Sequence, residues 1–270
     1  MTIAELAEDR VVEAVVAVRT KRKLRTKAGA PYLALELVDP TGKIEARVWN
    51  DVELLDGRFA EGDAVRVLGR VEKFRDRLQL DVRSLEASDV DPASLTPAIR
   101  RDPDELTGFL DFLVAEISHP GLAETVHHVL GDRDLGAYPA TADDHHSYAG
   151  GLLEHTVGVA TLCRETSQLH PRLRGDLVLA AALVHDVGRT LELGRGPAFA
   201  VTDEGRLLGH VHLGVRLIEG RADALTAPQL AELVHCVAVH HDARGARTAE
   251  AAVLYHANQL DTVAATRRVD

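Results

Sequence analysis

The sequence predicts a multi-domain α and β protein, with a small β-barrel first and an all-α domain after it. Five short strand-like segments precede residue 88, and apolar residues recur at helical spacing from residue 104 onward. All five lysines lie at or before Lys73, whereas all fourteen histidines lie at or after His119. This difference in chemistry favours two domains, with expected bounds of 1–90 and 109–270 and a linker over 91–108.

The N-terminal part has the pattern of a five-stranded barrel. Its strand-like segments are "VVEAVVAV", "PYLALELVD", "KIEARVWN", "EGDAVRVLGRVEKF" and "DRLQLDVRSL", and "DPTGK" (39–43) is a turn signal between the second and third. The segment "VELLDGRF" fits either a helix or a loop. Five short strands in about eighty residues predict a small closed barrel, and the OB-fold is the natural candidate.

A basic run, "RTKRKLRTK" (19–27), separates the first two predicted strands. It holds six basic residues and no acidic one. The simpler interpretation is a solvated hairpin tip, but OB-folds grip single strands with the loop at this position. We therefore expect backbone phosphates to be bound by these side chains. The six residues are Arg19, Lys21, Arg22, Lys23, Arg25 and Lys27.

Three aromatic residues of the barrel have two interpretations each. Trp49, the only tryptophan, follows a predicted strand in "VWND" and either stacks on a base or fills the barrel. The same alternatives hold for Tyr32 and Phe74, and we predict that Trp49 and Phe74 contact nucleic acid. Aromatic content is only 4%, so phosphate contacts are expected to contribute more than base stacking.

Composition and charge limit the protein class. The formal net charge is −11, yet residues 1–90 are nearly neutral, with 16 Lys and Arg against 17 Asp and Glu. The excess of acid therefore lies in the second part and does not exclude a nucleic-acid partner for the first. Two cysteines cannot form a disulfide framework, and the longest apolar run has eight residues. With no secretory pattern in "MTIAELAEDR", we expect a soluble, cytoplasmic protein without a membrane partner.

The second part is predicted to be helical throughout. "SDVDPASLTPAIRRDPDEL" (88–106) contains three prolines and resembles a linker. Helical spacing begins at "DELTGFLDFLVAEI" and is interrupted near "HPG", "GDRD", "HPRLRG" and "GRGPAF".

Ligand-type residues interrupt five apolar segments of this helical part. The segments are "GGLLEHTVGVATL", "LVHDVGRT", "GHVHLGV", "LVHCVAVHHD" and "AAVLYHANQLD". A single histidine in an apolar segment is more often a hydrogen-bonded core residue. Five segments with the same pattern are poorly explained as core residues, because buried imidazoles and carboxylates are costly unless paired or metal-bound. Neutral imidazole with carboxylate suits Mn, Fe, Co, Ni or Zn rather than Ca. Convergence of these helices predicts a metal site.

The order of these motifs resembles the HD-domain superfamily of metal-dependent phosphohydrolases. "HHSYAGGLLEHT", "HDVGR", "GH", "HH" and "LD", downstream of an OB-like barrel, resemble the YhaM-type 3′→5′ exoribonuclease family over nearly the whole chain. The resemblance implies two divalent ions, with Mn favoured and Fe, Co, Ni, Zn or Mg as alternatives. His155, His185 and Asp186 would hold the first ion. The second would be held by His210, His240 and His241, with Asp186 bridging both. His145 and His146 would contact the substrate.

Two residues depart from the family pattern. Arg189 replaces the usual lysine after "HDxG", which keeps the positive charge for phosphate contact but changes its geometry. Asn258 occupies the position of the first acid of a "D-x-x-D" pair, and Asp261 is the second. An asparagine carbonyl brings no negative charge, so the first ion is expected to bind more weakly, unless Asp261 substitutes as the ligand.

The leading hypothesis is a two-metal 3′→5′ exonuclease that trims single-stranded RNA or DNA and releases nucleoside 5′-monophosphates. RNA is favoured only by the resemblance. The alternatives are an HD phosphohydrolase of small nucleotides and a nucleic-acid-binding protein with a degenerate metal site. The sequence leaves open the oligomeric state, including a homo-oligomer.

Overall fold

The computed structural model describes residues 1–97, 99, 101–131 and 133–266. Two residues of the predicted linker, Ala98 and Arg100, lie outside this range, as do Asp132 and residues 267–270 of the predicted helical domain. The chain divides into two compact units. One comprises Met1–Ala98 with Arg195–Phe199, and the other comprises Ile99–Gly194 with Ala200–Asp270.

The first unit is a closed five-stranded barrel, as the sequence predicts. Its strands are β1 (Val11–Arg25), β2 (Pro31–Asp39), β3 (Gly42–Val48), β4 (Ala64–Phe74) and β5 (Arg77–Ala87). They follow the order β1-β2-β3-β5-β4, in which β3 and β5 are parallel and the other described pairs are antiparallel. A short helix, α1 (Val52–Asp56), follows β3 where the sequence fits a helix or a loop.

Alternate apolar residues of the strands form the core of the barrel. Leu33, Leu35 and Leu37 of β2 are buried, as are Val65 and Val67 of β4. Because successive strand residues point to opposite faces, these positions form the interior and the intervening ones form the outer surface. The predicted turn joins β2 to β3.

The basic run lies mostly in a strand, and its assignment to a loop is wrong. β1 continues through Arg25 and pairs with β2 as far as Pro31. The register shifts between Val18 and Thr20, so a β-bulge lies at Arg19. Only residues 26–30 connect the two strands. Cross-strand hydrogen bonds therefore extend the strand across a polar segment that lacks a strand-like pattern.

The second unit is helical. The helices are α2 (Pro103–Ala115), α3 (Pro120–Leu130), α4 (Gly151–Leu169), α5 (Gly175–Val184), α6 (Arg189–Glu192), α7 (Asp203–Glu219), α8 (Ala227–Ala238) and α9 (Ala249–Thr266). The core of this unit is built around helix α5, in which all eight residues from Leu177 to Val184 are buried. A 3-10 turn at Leu135–Ala137 lies between α3 and α4. The four predicted breaks fall between helices. No helix of the described part is long and apolar enough to cross a membrane.

The segment predicted as a linker has regular structure at both ends. A 3-10 turn covers Pro92–Leu95, and α2 begins at Pro103 with Asp102 as its N-cap. Proline at the first helical position and an aspartate cap are typical helix starts, so this end of the segment is helical rather than extended.

Candidate metal centre

Asp186 lies at the middle of a histidine cluster. It follows α5 by two residues and is only 3% exposed. Its Oδ1 oxygen lies 3.3 Å from Nε2 of His210 and 3.4 Å from Nε2 of His240. The Oδ2 oxygen faces the other way, 3.8 Å from Nε2 of His155 and 3.9 Å from Nε2 of His185. Each carboxylate oxygen therefore faces a separate pair of imidazoles.

Backbone carbonyls orient two of these rings. Nδ1 of His185 donates to the carbonyl of Ala182 at 2.7 Å, and Nδ1 of His240 donates to the carbonyl of Val237 at 2.6 Å. A carbonyl only accepts, so each ring carries its proton on Nδ1 when neutral. The lone pair of Nε2 is then directed at the cluster. Both histidines follow the C-terminal turn of a helix, α5 or α8, whose last carbonyls are free to accept.

A carboxylate orients a third ring. Oδ2 of Asp261, on α9, accepts from Nδ1 of His155 at 2.7 Å. Nε2 of His155 then lies 3.3 Å from Nε2 of His185. Two imidazoles that both donate through Nδ1 turn their Nε2 atoms toward each other, an arrangement that a shared cation stabilises.

Unpaired buried atoms support a cation at this position. Oδ1 of Asp186 and Nε2 of His240 are buried and have no hydrogen-bond partner among the described residues. Buried polar groups without partners are costly and therefore rare. Imidazole nitrogen and carboxylate oxygen are the donor set of first-row transition metals, so these residues fit a divalent ion. Ligand atoms of Asp186, His210, His240 and His241 lie within 4.8 Å of one another, as do those of His155, His185 and Asp186.

The protonation states suit metal binding. Burial lowers the pKa of His185 to about 3. Burial and the neighbouring His240 lower the pKa of His241 to about 4, so both imidazoles are neutral at pH 7 and have a free lone pair. Burial disfavours the charged form of Asp186, but Arg189 and the histidines outweigh it and hold the pKa of this carboxyl below its usual range. The centre therefore offers one carboxylate and neutral imidazoles.

Arg189 lies inside the cluster rather than free in solvent. Its Nη1 donates to Oε2 of Glu192 at 2.6 Å, and its Nε lies 3.6 Å from Oδ2 of Asp186. Glu192 was not identified from the sequence. Its only sequence signal is its position three residues after Arg189, on the same face of α6.

His145 and His146 both lie against His155, with ring centroids at 5.1 and 5.6 Å. Nε2 of His145 is 3.3 Å from Oγ1 of Thr262, and burial lowers the pKa of His145. Both ring nitrogens of His146 have protein partners, which are the hydroxyl of Tyr148 at 2.8 Å and Oδ2 of Asp261 at 3.0 Å.

The charge on His146 is stabilised by acids. Burial lowers its pKa, but Asp261 and Glu154 outweigh this effect and raise the pKa to about 9. The pKa of Glu154 is lowered in turn, mainly by the nearby imidazole of His146, whose Nδ1 lies 3.7 Å from Oε2 of Glu154. Tyr148, which donates its hydroxyl hydrogen to Glu154, was not identified from the sequence.

Asn258 is buried on α9, one turn before Asp261. Its Nδ2 donates to the backbone carbonyl of His240 at 3.3 Å. Asn258, whose position predicts a weak metal ligand, therefore also links α9 to the backbone of His240, another predicted ligand.

Half of the basic residues in the N-terminal run have acidic partners within the barrel unit. Arg19 is buried 3.4 Å from Glu36, and Lys21 pairs with Asp56 at 3.1 Å. Lys23 pairs with Asp56 at 3.3 Å and also with Glu53.

The other three basic residues are exposed. Nη1 of Arg25 donates to the carbonyl of Gly29, while Arg22 and Lys27 have no ion pair among the described residues.

Two aromatic surfaces are exposed on the barrel. Trp49 is 47% exposed and stacks on Tyr32, with ring centroids 4.8 Å apart. Phe74 is 56% exposed, and the guanidinium of Arg75 lies 5.2 Å from its ring. Neither ring fills the barrel core, so both are available for stacking.

Family models match both parts of the chain. The HD domain family model matches residues 152–263, and the model of an OB-fold nucleic acid binding domain matches residues 12–87. The second OB-fold domain of replication protein A from Methanococcus maripaludis is 24% identical over 33% of this chain and 95% of its own, with a TM-score of 0.28. The protein PriB from Ralstonia solanacearum is 18% identical over 30% of this chain and 98% of its own, with a TM-score of 0.26.

The family matches cover the elements that carry the described features. The OB-fold match contains all five strands nearly completely, and the HD match contains every predicted metal ligand. HD domains bind divalent metals, and the described histidine and aspartate groups could hold them. The chain thus combines an N-terminal OB-fold nucleic-acid-binding domain with a C-terminal HD domain. The HD domain indicates a metal-dependent phosphohydrolase, and the OB-fold domain supports a role in handling nucleic acid.

Proposed function

We propose that this protein is a YhaM-type 3′→5′ exonuclease, which removes nucleoside 5′-monophosphates from single-stranded RNA or DNA, with RNA favoured. The observation that carries the proposal is the arrangement of Asp186, whose two oxygens face separate pairs of imidazoles. Such a carboxylate is suited to bridge two cations. The OB-fold domain on the same chain supports a single-stranded polymer as the substrate.

The residues divide into two ligand groups. His155 and His185 would hold one ion, and His210, His240 and His241 the other, with Asp186 shared. Bound divalent ions lower the pKa of a water molecule and neutralise charge on a phosphodiester. Imidazole ligands bring no negative charge, so one carboxylate would leave two divalent ions with net positive charge, which favours an anionic substrate.

Residues beside the ligands would act on the phosphate. Arg189 lies next to Asp186 and supplies a fixed positive charge at the centre. His145 is neutral at pH 7 because burial lowers its pKa, so it can donate or accept a hydrogen bond at a phosphate oxygen without adding charge. These two side chains would orient the terminal phosphodiester.

Phosphate contacts and stacking on the barrel would hold the strand. Arg22, Arg25 and Lys27 are exposed, and the stacked pair of Tyr32 and Trp49 offers a flat apolar surface. Electrostatic contacts and aromatic faces together bind single strands with little sequence preference.

A second candidate is hydrolysis of small nucleotides. The specific observation that favours it is the pairing of Arg19, Lys21 and Lys23 with acids, which leaves only half of the basic run for a polymer. The barrel would then serve assembly or regulation.

The test is a time course with 5′-labelled single-stranded RNA and DNA of one sequence, and in parallel with nucleoside triphosphates and cyclic mononucleotides. Each substrate is incubated with Mn²⁺ or with a chelator. Asp186→Ala is the variant expected to be inactive, and Asp223→Ala, at an exposed aspartate, is its matched control. We expect a ladder that shortens from the 3′ end with Mn²⁺, and no ladder with the chelator or in Asp186→Ala.

Three other outcomes would contradict this proposal. Hydrolysis of mononucleotides alone would support the second candidate. Salt-sensitive retention of the strand without product, under any metal, would indicate a binding protein with a degenerate centre. Products of internal cleavage would establish an endonuclease.

A further inference from the structure

We propose that Asp261 is a positioning residue that orients His155 from behind, and that Gly158 provides the space for it. Asp261 would then not replace Asn258 as a metal ligand. This inference rests on the proposed metal site, but it concerns a hydrogen bond that can be measured in the protein without metal.

Geometry separates Asp261 from the ligand atoms. Its Oδ2 is 2.7 Å from Nδ1 of His155, whereas Nε2 of the same ring faces His185 at 3.3 Å and Asp186 at 3.8 Å. The two nitrogens of an imidazole point in diverging directions. An oxygen bonded at Nδ1 therefore lies behind the ring as seen from the cluster, where carboxylates commonly orient metal-binding histidines.

Gly158 allows this approach. It lies three residues after His155 on α4, and a Cβ atom added to it would be 2.3 Å from Oδ1 of Asp261 and 3.2 Å from its Cγ. Glycine weakens a helix relative to alanine, so a helical glycine at a point of close approach has a packing reason. Here the reason is the carboxylate of α9.

His146 contacts the same carboxylate oxygen as His155. Nε2 of His146 lies 3.0 Å from the same Oδ2, and Nδ1 of His146 contacts the hydroxyl of Tyr148. The backbone of His146 has φ +47°, a left-handed conformation that L residues rarely adopt. With both ring nitrogens engaged, His146 acts with Asp261 rather than on the substrate.

Asn258 has a different partner, one turn earlier on α9. Its amide donates to the carbonyl of His240, so it stabilises the backbone of a ligand of the second group. α9 thus supports both ligand groups indirectly, through a carboxylate behind His155 and an amide at His240. The carboxylate that α9 contributes to the first group acts through its hydrogen bond with the imidazole of His155.

The test uses Asp261→Asn and Gly158→Ala, with Gly108→Ala as the matched control. Gly108 lies in α2, and a Cβ there would meet no atom within 4 Å. The first readout is ¹H–¹⁵N NMR of the histidine rings in metal-free and Zn²⁺-loaded protein, with the His155 signals assigned by His155→Gln. The second is the affinity for Mn²⁺, from the EPR signal of the free ion.

We expect a strongly hydrogen-bonded Nδ1–H of His155 in both the metal-free and the Zn²⁺-loaded protein. In Asp261→Asn and Gly158→Ala this signal should move upfield, and the affinity for one Mn²⁺ should fall about 10- to 100-fold. Gly108→Ala should change neither readout. Loss of the bonded Nδ1–H on loading with Zn²⁺ would overturn the proposal, because Asp261 would then have moved to the metal.

An unchanged His155 signal in Asp261→Asn would also overturn it. If the protein binds no metal at all, the proposed function fails, yet the metal-free spectra still decide whether Asp261 sets the tautomer of His155. The two failures are therefore distinguishable.

Discussion

Glu192 holds His210 at two points. Its Oε1 accepts from the backbone N–H of His210 at 3.1 Å, and its Oε2 lies 3.3 Å from Nδ1 of the same residue. The preceding Gly209 has φ +71° and ψ 159°, which breaks the helical path of α7. Only glycine adopts such a conformation without strain. This break and the carboxylate together set the direction in which Nε2 of His210 points.

Removing the charge of Glu192 should weaken one metal site. Glu192→Gln keeps the shape and an acceptor for the backbone N–H but loses its charge beside His210 and Arg189. We expect a loss of about 10- to 100-fold in affinity for one of two Mn²⁺ ions by isothermal titration calorimetry. Glu204→Gln, in an exposed ion pair with Arg216 on α7, is the control and should leave both affinities unchanged. Equal effects of the two substitutions would refute a specific role for Glu192.

The stability of the metal-free protein should peak near pH 6.5. The pKa values of His185 and His241 are lowered to about 3 and about 4, so below pH 6.5 the unfolded chain binds protons that the folded chain does not, and stability falls. The pKa of His146 is raised to about 9, so the stability that it contributes is fully present below pH 6.5 and is lost as the pH rises through 9.

Urea unfolding with chelator from pH 5 to 9 measures this profile. His146→Gln should flatten the alkaline side of the peak and leave the acidic side. A free energy of unfolding that rises steadily from pH 6.5 to 9 in the unchanged protein would contradict the raised pKa of His146.

Trp49 should report binding of single strands. It is the only tryptophan, so quenching of its fluorescence by an oligonucleotide would be specific to the barrel. Trp49→Ala and Tyr32→Ala should each weaken binding, measured by fluorescence anisotropy of a labelled strand, by about 1–3 kcal/mol. Phe109→Ala, at an exposed aromatic residue of α2, is the control. Undiminished affinity in Trp49→Ala would exclude stacking at this position.

Substitution of unpaired and of ion-paired basic residues should change the salt dependence of single-strand binding to different extents. In the double variant Arg22→Ala with Lys27→Ala, the plot of log affinity for a single strand against log salt concentration should be less steep by about 1.4. Each lost phosphate contact accounts for about 0.7 of this change. Lys23→Ala should change the slope little, because Lys23 pairs with Glu53 and Asp56. The reverse ranking would mean that the ion pairs open on binding.

Asn258→Asp should affect stability and metal binding in opposite directions. A buried carboxylate cannot donate to the carbonyl of His240, so the free energy of unfolding of the metal-free protein should fall by about 1–3 kcal/mol. The added charge should strengthen Mn²⁺ binding. Thermal unfolding with and without Mn²⁺ measures both effects, and Gln259→Glu on the same helix is the control. A weaker response to Mn²⁺ in Asn258→Asp would contradict the expectation.

Much of the architecture can be predicted from the periodicity of apolar residues along short segments of the chain. Five strand-like segments, such as "PYLALELVD", predict the barrel, and the eight apolar residues before His185 predict the buried helix, because burial demands a pattern that adjacent residues display. Histidines that interrupt apolar segments predict a metal site, and the resemblance in the order of these motifs implies the HD domain that the family model shows.

Features that depend on residues distant in sequence were not accessible in this way. β1 extends over the basic run because β2 pairs with it, and Lys21 is neutralised by Asp56, which lies 35 positions along the chain. Those contacts exist only once the barrel closes.

The sharpest case is the pair Asn258 and Asp261. Both lie on one face of α9, a turn apart, so helical periodicity treats them alike. Which of them reaches His155 depends on how closely α9 approaches α4. That distance is set at Gly158, where the absence of a Cβ leaves room for one carboxylate.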